Sequence, residues 1–175
     1  MTKSNLTHEN PVTDRVCYTQ ISSPIGPLIL AADDAGLREI RFVNGRHPAI
    51  PDPAWRKDPM HLKESIRQLS AYFAGELKSF DLPLAPQGTP FQLNVWKLLG
   101  DIPYGETISY GELARRMGNP QASRAVGLAN GSNPIPIVIP CHRVIGSNGK
   151  LTGYGGGLPI KEKLLALEHR QLRLL

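Results

Sequence analysis

The sequence has few cysteines, no long apolar run and no repeated segment. Only two cysteines occur in 175 residues, too few for the disulfide framework of a small secreted domain. No apolar stretch approaches the roughly 18 residues that a membrane-spanning helix needs. The polar N-terminus also lacks the apolar centre of a signal peptide. We therefore expect a cytoplasmic protein without membrane contact, in which both thiols stay reduced.

Acidic residues are scarce in the second half of the chain. Residues 1–87 hold 10 Lys and Arg against 10 Asp and Glu, whereas residues 88–175 hold 10 against 5. The whole net charge of +5 therefore lies in the second half. A basic half favours a polyanionic partner such as nucleic acid.

The first half alternates short apolar runs with turns. Three runs within residues 16–43 are separated by Ser-Pro-Ile-Gly and Asp-Asp-Ala-Gly, which predicts a small antiparallel sheet. Proline and glycine predict a loop over residues 44–59, and helical spacing of apolar residues predicts a helix over 60–77. We place an N-terminal α/β domain at residues 16–87, after a flexible tail at residues 1–15.

From residue 88 the pattern predicts a mostly helical domain that extends to residue 175. Thr89 can cap a helix that has Pro90 in its first turn. Its expected buried face is Phe91, Val95, Trp96, Leu98 and Leu99. A capping box from Ser109 predicts a helix through Met117, and a second helix is predicted over residues 121–130. The short connection between the two predicts a helix-turn-helix of winged-helix-like type.

The second of these helices carries small residues and one long cation. We expect its core face to be Ala122, Ala125, Val126 and Ala129. Arg124 shares another stripe with Gln121 and Leu128, one turn apart. A helix this slim can bring its backbone close to DNA, and a single arginine suits insertion into a narrow groove. The alternative is a core helix with Arg124 in solvent.

Cys141 follows an apolar run that ends in a proline. Because proline cannot donate to a sheet ladder, we expect Cys141 at the end of a strand, next to His142. Basic neighbours favour a thiolate, and His142 could take the thiol proton directly or through a water. Glu168, at the end of a helix predicted over residues 161–167, is a candidate partner for the imidazole.

A Cys-His pair alone also fits a buried structural cysteine, a metal ligand or a hydrolase nucleophile. The metal hypothesis is weak because no second cysteine or histidine lies nearby at ligand spacing. The basic helix-turn-helix argues against a hydrolase, which has no use for it.

The motifs together resemble the O6-alkylguanine-DNA alkyltransferases. The signature Pro-Cys-His-Arg stands at residues 140–143. Matching segments occur in the expected order at residues 109–114, 123–127, 130–134, 153–157 and 161–165. The likeness is specific over residues 89–168 and looser before them.

This resemblance implies DNA repair by direct, stoichiometric transfer of an alkyl group from O6-alkylguanine in double-stranded DNA to Cys141. O4-alkylthymine is a second candidate substrate. The expected protein is a monomer that uses neither a cofactor nor a metal. A protein that only binds alkylated DNA is the alternative within related folds, and Cys141 argues against it.

The resemblance also implies a role for each matching residue. His142, acting through a water, and Glu168 would generate the thiolate, and Asn133 would bridge the helix-turn-helix to the active-site loop. Arg124 would replace a flipped nucleotide, and Tyr110 would turn the 3′ phosphate. The slim helix itself makes Gln121, Ser123 and Gly127 further candidates for contact with DNA. The implied substrate pocket is formed by Tyr154, Gly155, Gly156 and Val144.

Two positions depart from the family pattern. Gly155 stands where the mammalian enzymes have a serine whose hydroxyl helps to bind the base, so base contacts here would rely on backbone N–H groups. Lys163 replaces a common tryptophan and is expected on the surface.

Overall fold

A computed structural model of the chain describes residues 15–172, with side chains described to residue 169. The expected tail lies outside this range except for its last residue. The strands are β1 (Cys17–Ile21), β2 (Leu28–Asp33), β3 (Gly36–Phe42), β4 (Arg56–Lys57), β5 (Ile108–Ser109) and β6 (Val144–Ile145). The helices are α1 (Lys63–Ala74), α2 (Pro90–Gly100), α3 (Tyr110–Arg116), α4 (Ser123–Gly131) and α5 (Leu158–Leu172). Short 3₁₀ turns lie at Pro120–Ala122 and Cys141–Arg143.

The N-terminal half is a four-stranded sheet with α1 packed on it. The strand order is β3-β2-β1-β4, and the antiparallel pairing predicted for the first three strands is confirmed. The strand β4, which was not predicted, lies in the predicted loop and pairs parallel with β1, so the sheet as a whole is mixed. α1 is shorter than predicted because Gly75, at φ +83°, ends it in the left-handed conformation.

The second half is mostly helical, as predicted. Thr89 and Gln92 form a complete capping box at the start of α2. The predicted apolar face is only partly correct, because Phe91 is 39% exposed while Val95 and Leu99 are fully buried. Trp96 Nε1 donates to the carbonyl of Ala129 over 2.8 Å, which fixes α2 against α4.

α3 and α4 form the predicted helix-turn-helix. The Ser109 side chain accepts from the Glu112 amide at the start of α3. The connection turns at Gly118, whose φ of +76° strongly favours glycine. α4 begins later than predicted, because Pro120–Ala122 form a 3₁₀ turn in front of it. The parallel pair β5–β6 completes the winged-helix-like arrangement.

The two halves share one continuous apolar core, which runs from the sheet through α1 into α2, α3 and α4. β3 reaches the C-terminal half directly, since the Ile40 amide donates to the Pro134 carbonyl over 2.9 Å. The rings of Phe42 and Tyr154 also meet, with centroids 5.7 Å apart. β3 therefore lies beside the loop that carries Cys141.

Within residues 15–172, no helix has the length and apolar character that crossing a membrane requires. The same residues contain no cluster of three or more His, Cys, Asp or Glu side chains arranged to hold a metal ion.

Candidate active site

The segment before Cys141 is a tight loop, so the predicted strand is wrong. Pro136 and Ile139 form only an isolated bridge. Ile137, fully buried, has φ +77°, a conformation that costs a residue of this kind about 1–3 kcal/mol. The two prolines of the loop lack the amide donors that a strand ladder needs. Cys141 therefore begins a 3₁₀ turn and does not end a strand.

The Cys141 thiol is buried, with 4% of the residue exposed. Burial raises the pKa of Cys141 to about 11, although the Asn133 amide, the Lys161 ammonium and the Tyr154 hydroxyl each act to lower it. The neighbours favour the thiolate, as expected, but burial outweighs them in the resting protein. The resting sulfur is a protonated thiol that must lose its proton before it can act as a nucleophile.

His142 and Glu168 form a fully buried pair, with His142 Nε2 2.8 Å from Glu168 Oε1. Burial alone would raise the pKa of Glu168, but hydrogen bonds and charge from His142 and Arg143 lower it to about 2. Burial also lowers the pKa of His142, more than Glu168 raises it. The imidazole is therefore neutral, donates from Nε2 and keeps a lone pair on Nδ1, which has no hydrogen-bond partner among the described residues.

Glu168 lies inside α5, so the prediction that it ends the helix is wrong. Its two oxygens accept five hydrogen bonds, from His142, the Tyr72 hydroxyl, the Gly105 amide and two nitrogens of Arg143. Sequence reasoning missed Tyr72 and Gly105 because they lie 96 and 63 residues away along the chain. A neutral thiol, a neutral imidazole and a fixed carboxylate can together form a thiolate and an imidazolium.

Two asparagines hold the loop that carries Cys141. Asn133 donates to the Ile139 carbonyl over 2.8 Å and accepts from the Ile135 amide at 3.0 Å, so it links both sides of the loop. The buried Asn130 donates to the Cys141 carbonyl at 3.4 Å. Sequence reasoning gave Asn130 no role. The sequence feature that indicates a role for Asn130 is its spacing: it follows the buried Val126 by one helical turn, which places a polar side chain on the buried face of α4.

Cys141 lines a cavity of about 270 Å³ between the two halves of the protein. The predicted residues Asn133, Tyr154 and Gly155 line it as well, together with Asn130 from α4. Sequence reasoning missed the wall from the N-terminal half, which is formed by Ile40, Arg41, Phe42, His47 and Ala49.

Two predicted pocket residues lie elsewhere. Gly156 packs against the Phe42 ring, where an added Cβ would sit 3.1 Å from three ring carbons. Val144 is fully buried in β6, and its carbonyl accepts from Lys161 Nζ at 2.6 Å. Neither Gly156 nor Val144 is among the described residues that line the cavity.

A second, more open cavity of about 590 Å³ adjoins the first and shares Tyr154 and Gly155 with it. Its helix-turn-helix side is lined by Tyr110, Ser123, Arg124, Gly127 and Gly131. The Tyr110 ring lies against Gly127, where an added Cβ would be 3.6 Å from it. The cavity beside the helix-turn-helix and the cavity lined by Cys141 therefore share a wall.

The remaining predictions for α4 are partly correct. Arg124 is exposed, and Val126 and Ala129 are buried as predicted. Ala125 is exposed, so its predicted place in the core is wrong. Gln121 is exposed in the 3₁₀ turn before α4 and does not line the cavity. Lys163 is exposed, as predicted.

Two family models match the chain in succession. One, described as the ribonuclease-like domain of 6-O-methylguanine DNA methyltransferase, matches residues 16–86. The other, described as the DNA binding domain of the same protein, matches residues 90–170.

Two similar proteins, from different organisms, have the same name. The methylated-DNA–protein-cysteine methyltransferase of Methanosarcina acetivorans is 58% identical over 151 residues, which cover 86% of this chain and 97% of the relative. The protein of that name from Mycobacterium tuberculosis is 54% identical over 154 residues, covering 86% and 91%.

Two solved structures have a fold similar to that of this chain. The crystal structure of Mycobacterium tuberculosis OGT in complex with DNA matches with a TM-score of 0.83 and 53% identity, over 89% of this chain and 94% of that one. An O6-methylguanine-DNA methyltransferase from Pyrococcus kodakaraensis shares the fold, with a TM-score of 0.52 and 22% identity, over 87% of this chain and 98% of that one.

Proposed function

The chain belongs to the family of methylated-DNA–protein-cysteine methyltransferases, and from this premise we propose that it repairs DNA by moving an alkyl group from O6-alkylguanine to its own Cys141. The observation that supports this most is the position of the thiol. Cys141 lies at the floor of a cavity that adjoins the helix-turn-helix face, next to the His142–Glu168 pair.

The reaction needs a thiolate, because an alkyl carbon on the guanine oxygen is a poor electrophile. We infer that His142 Nδ1 takes the Cys141 proton, directly or by way of a water, while Glu168 supports the imidazolium. The sulfur then attacks the alkyl carbon, the bond from that carbon to O6 breaks, and the guanine leaves with the electron pair. Donors around the base stabilise that charge, and the proton that His142 took from Cys141 passes to the guanine and restores the neutral imidazole. The product is a stable thioether, so each molecule acts once.

The alkylated oxygen is out of reach inside a duplex, so the base must be flipped into the cavity. We infer that α4 enters the minor groove with its small residues against the DNA and that Arg124 fills the place of the flipped nucleotide. Tyr110, whose hydroxyl accepts from Thr152 Oγ1 at 3.1 Å, lies at the cavity edge where it can turn the 3′ phosphate. Ser123, Gly127 and Gln121 are the further candidates for backbone contacts.

We propose that the protein acts as a monomer in the cytoplasm. One chain carries the thiol, the histidine, the carboxylate and the helix-turn-helix. Both cysteines are free and buried, which suits a reducing compartment.

Arg124→Ala should weaken productive binding to duplex DNA by an amount on the order of a few kcal/mol, the cost of leaving a flipped base unreplaced. Reaction with free O6-benzylguanine should stay near the wild-type rate, because no base has to be flipped. The measurement is the single-turnover rate on both substrates. Arg67→Ala is the matched control, since it removes an exposed arginine from α1. Equal slowing on both substrates would contradict the role of Arg124.

Affinity for undamaged duplex should fall steeply as the salt concentration rises, because phosphate contacts release counterions and the charge excess lies in residues 88–175. Small residues facing the minor groove also predict little sequence preference. A titration by fluorescence anisotropy at several salt concentrations and on several sequences measures both. A flat salt response, or a strong preference for one sequence, would count against the placement of α4 in the groove.

The intact mass of the protein tests the function itself. Mixed with a duplex that contains one O6-methylguanine, the protein should gain one methyl group, and one molecule should be consumed per lesion. A protein that only binds alkylated DNA would gain no mass. A hydrolase would remove the group repeatedly while its own mass stayed the same.

A further inference from the structure

The N-terminal half contributes one side chain to the carboxylate behind His142. Tyr72, in α1, is fully buried, and its hydroxyl donates to Glu168 Oε1 over 2.8 Å. Burial and the negative charge of Glu168 raise the pKa of Tyr72, so the hydroxyl keeps its proton and stays a donor. This bond joins α1 to α5, across the two halves of the protein.

Tyr72 and His142 use the same carboxylate oxygen. Oε1 of Glu168 accepts from Tyr72, from His142 Nε2 at 2.8 Å and from Arg143 Nη2 at 3.0 Å. The other oxygen, Oε2, accepts from the Gly105 amide and from Arg143 Nε, each at 3.0 Å. Donors on both oxygens fix the rotation of the carboxylate, and Tyr72 is the donor that comes from the N-terminal half.

The ring of Tyr72 is itself fixed by other aromatic rings. The centroids of Phe73, Phe80 and Tyr104 lie 5.4, 5.3 and 6.0 Å from that of Tyr72. Phe73 and Phe80 belong to the N-terminal half, whereas Tyr104 follows α2. The hydroxyl therefore reaches Glu168 from a rigid support, with little freedom left to lose.

We propose that Tyr72 is a positioning residue for the transfer reaction. It holds Glu168 Oε1 against His142 Nε2, so that the carboxylate supports the imidazolium that forms as Cys141 loses its proton. The N-terminal half, which carries none of the reacting atoms, thereby sets how readily the thiolate forms. The inference rests on the proposed function, because it assigns Tyr72 a part in that reaction.

Tyr72→Phe removes only the hydroxyl and tests the inference with free O6-benzylguanine, so that DNA binding does not enter. At neutral pH the rate should fall roughly tenfold, the scale of one hydrogen bond to a charged group. The midpoint of the rising limb of rate against pH should also move to lower pH. That limb reports loss of a proton from the His142 imidazolium, and an imidazolium that the carboxylate supports less well loses its proton at lower pH. In Glu168→Gln, Tyr72→Phe should have little further effect.

Two control variants separate this role from packing. Tyr18→Phe removes a hydroxyl from β1, where the ring lies against Trp55, and should leave both rate and midpoint unchanged. Ile29→Val removes a buried methyl group from β2, outside the apolar cluster that contains Tyr72, and should lower the melting temperature without moving the midpoint. The other titratable groups around the pair, Arg143, Lys161, Tyr104 and Tyr154, are unchanged in every variant.

A midpoint that stays in place or moves to higher pH in Tyr72→Phe would overturn the inference. Full additivity with Glu168→Gln would overturn it as well, because Tyr72 would then act independently of the carboxylate. If the wild-type protein transfers the benzyl group and Tyr72→Phe transfers it at the same rate, the inference about Tyr72 fails while the proposed function stands. If the wild-type protein transfers nothing, the proposed function fails and the inference falls with it.

Discussion

Cys141→Ser should bind duplex DNA with wild-type affinity and transfer no alkyl group. A serine hydroxyl is nearly the same size as the thiol but far less acidic, so the buried site cannot ionise it. The DNA-contacting face is unaffected, because Cys141 lies at the cavity floor and not on α4. Single-turnover transfer and duplex titration measure the two effects separately.

Cys17→Ser is the matched control for this prediction. Cys17 is also a free, buried cysteine, but it lies in β1 and accepts a hydrogen bond from the exposed Arg56. Its replacement should leave the transfer rate unchanged. Transfer by Cys141→Ser, or loss of transfer in Cys17→Ser alone, would contradict the assignment of the acceptor.

Glu168→Gln should lower the transfer rate about a hundredfold or more, the contribution typical of a general base. The amide keeps the size of the side chain and removes the charge that supports the imidazolium of His142. Duplex affinity should not change, because Glu168 is buried behind the cavity. Single-turnover rates across a range of pH on O6-methylguanine duplex measure the loss.

This substitution also leaves the buried Arg143 without its charged partner, since two nitrogens of Arg143 bond to the carboxylate. Stability should therefore fall as well, and rates are measured well below the melting temperature. Glu162→Gln, on the exposed side of α5, removes the same charge and should behave like wild type. A near-normal rate of Glu168→Gln at neutral pH would show that Glu168 is structural.

Local signals predicted much of the fold. The capping box at Thr89 and the turns between the first three strands depend on residues within a few positions of each other, so the sequence shows them directly. The 3₁₀ turn before α4 and the short strand β4 were missed, because tertiary contacts decide both. Arg56, for example, joins the sheet through an amide that bonds to the Val16 carbonyl.

The sequence predicted which residues form the site better than it predicted how they are arranged. Cys141, His142 and Glu168 were identified from motifs. The predicted strand before Cys141 and the predicted helix end at Glu168 were wrong. Burial decides the protonation of Cys141, and burial depends on the whole fold. The donors to Glu168 come from α1 and from the turn after α2, and no local pattern shows that these segments meet.

The central claim is that the alkyl group ends on the sulfur of Cys141, and peptide mapping tests it most directly. After reaction with an O6-methylguanine duplex, trypsin separates the two cysteines, because Cys17 lies on peptide 16–38 and Cys141 on peptide 125–143. Tandem mass spectrometry should find one added methyl group on Cys141 and an unmodified Cys17. A methyl group on Cys17 or on any other residue, or a released methyl product with both peptides unmodified, would contradict the account.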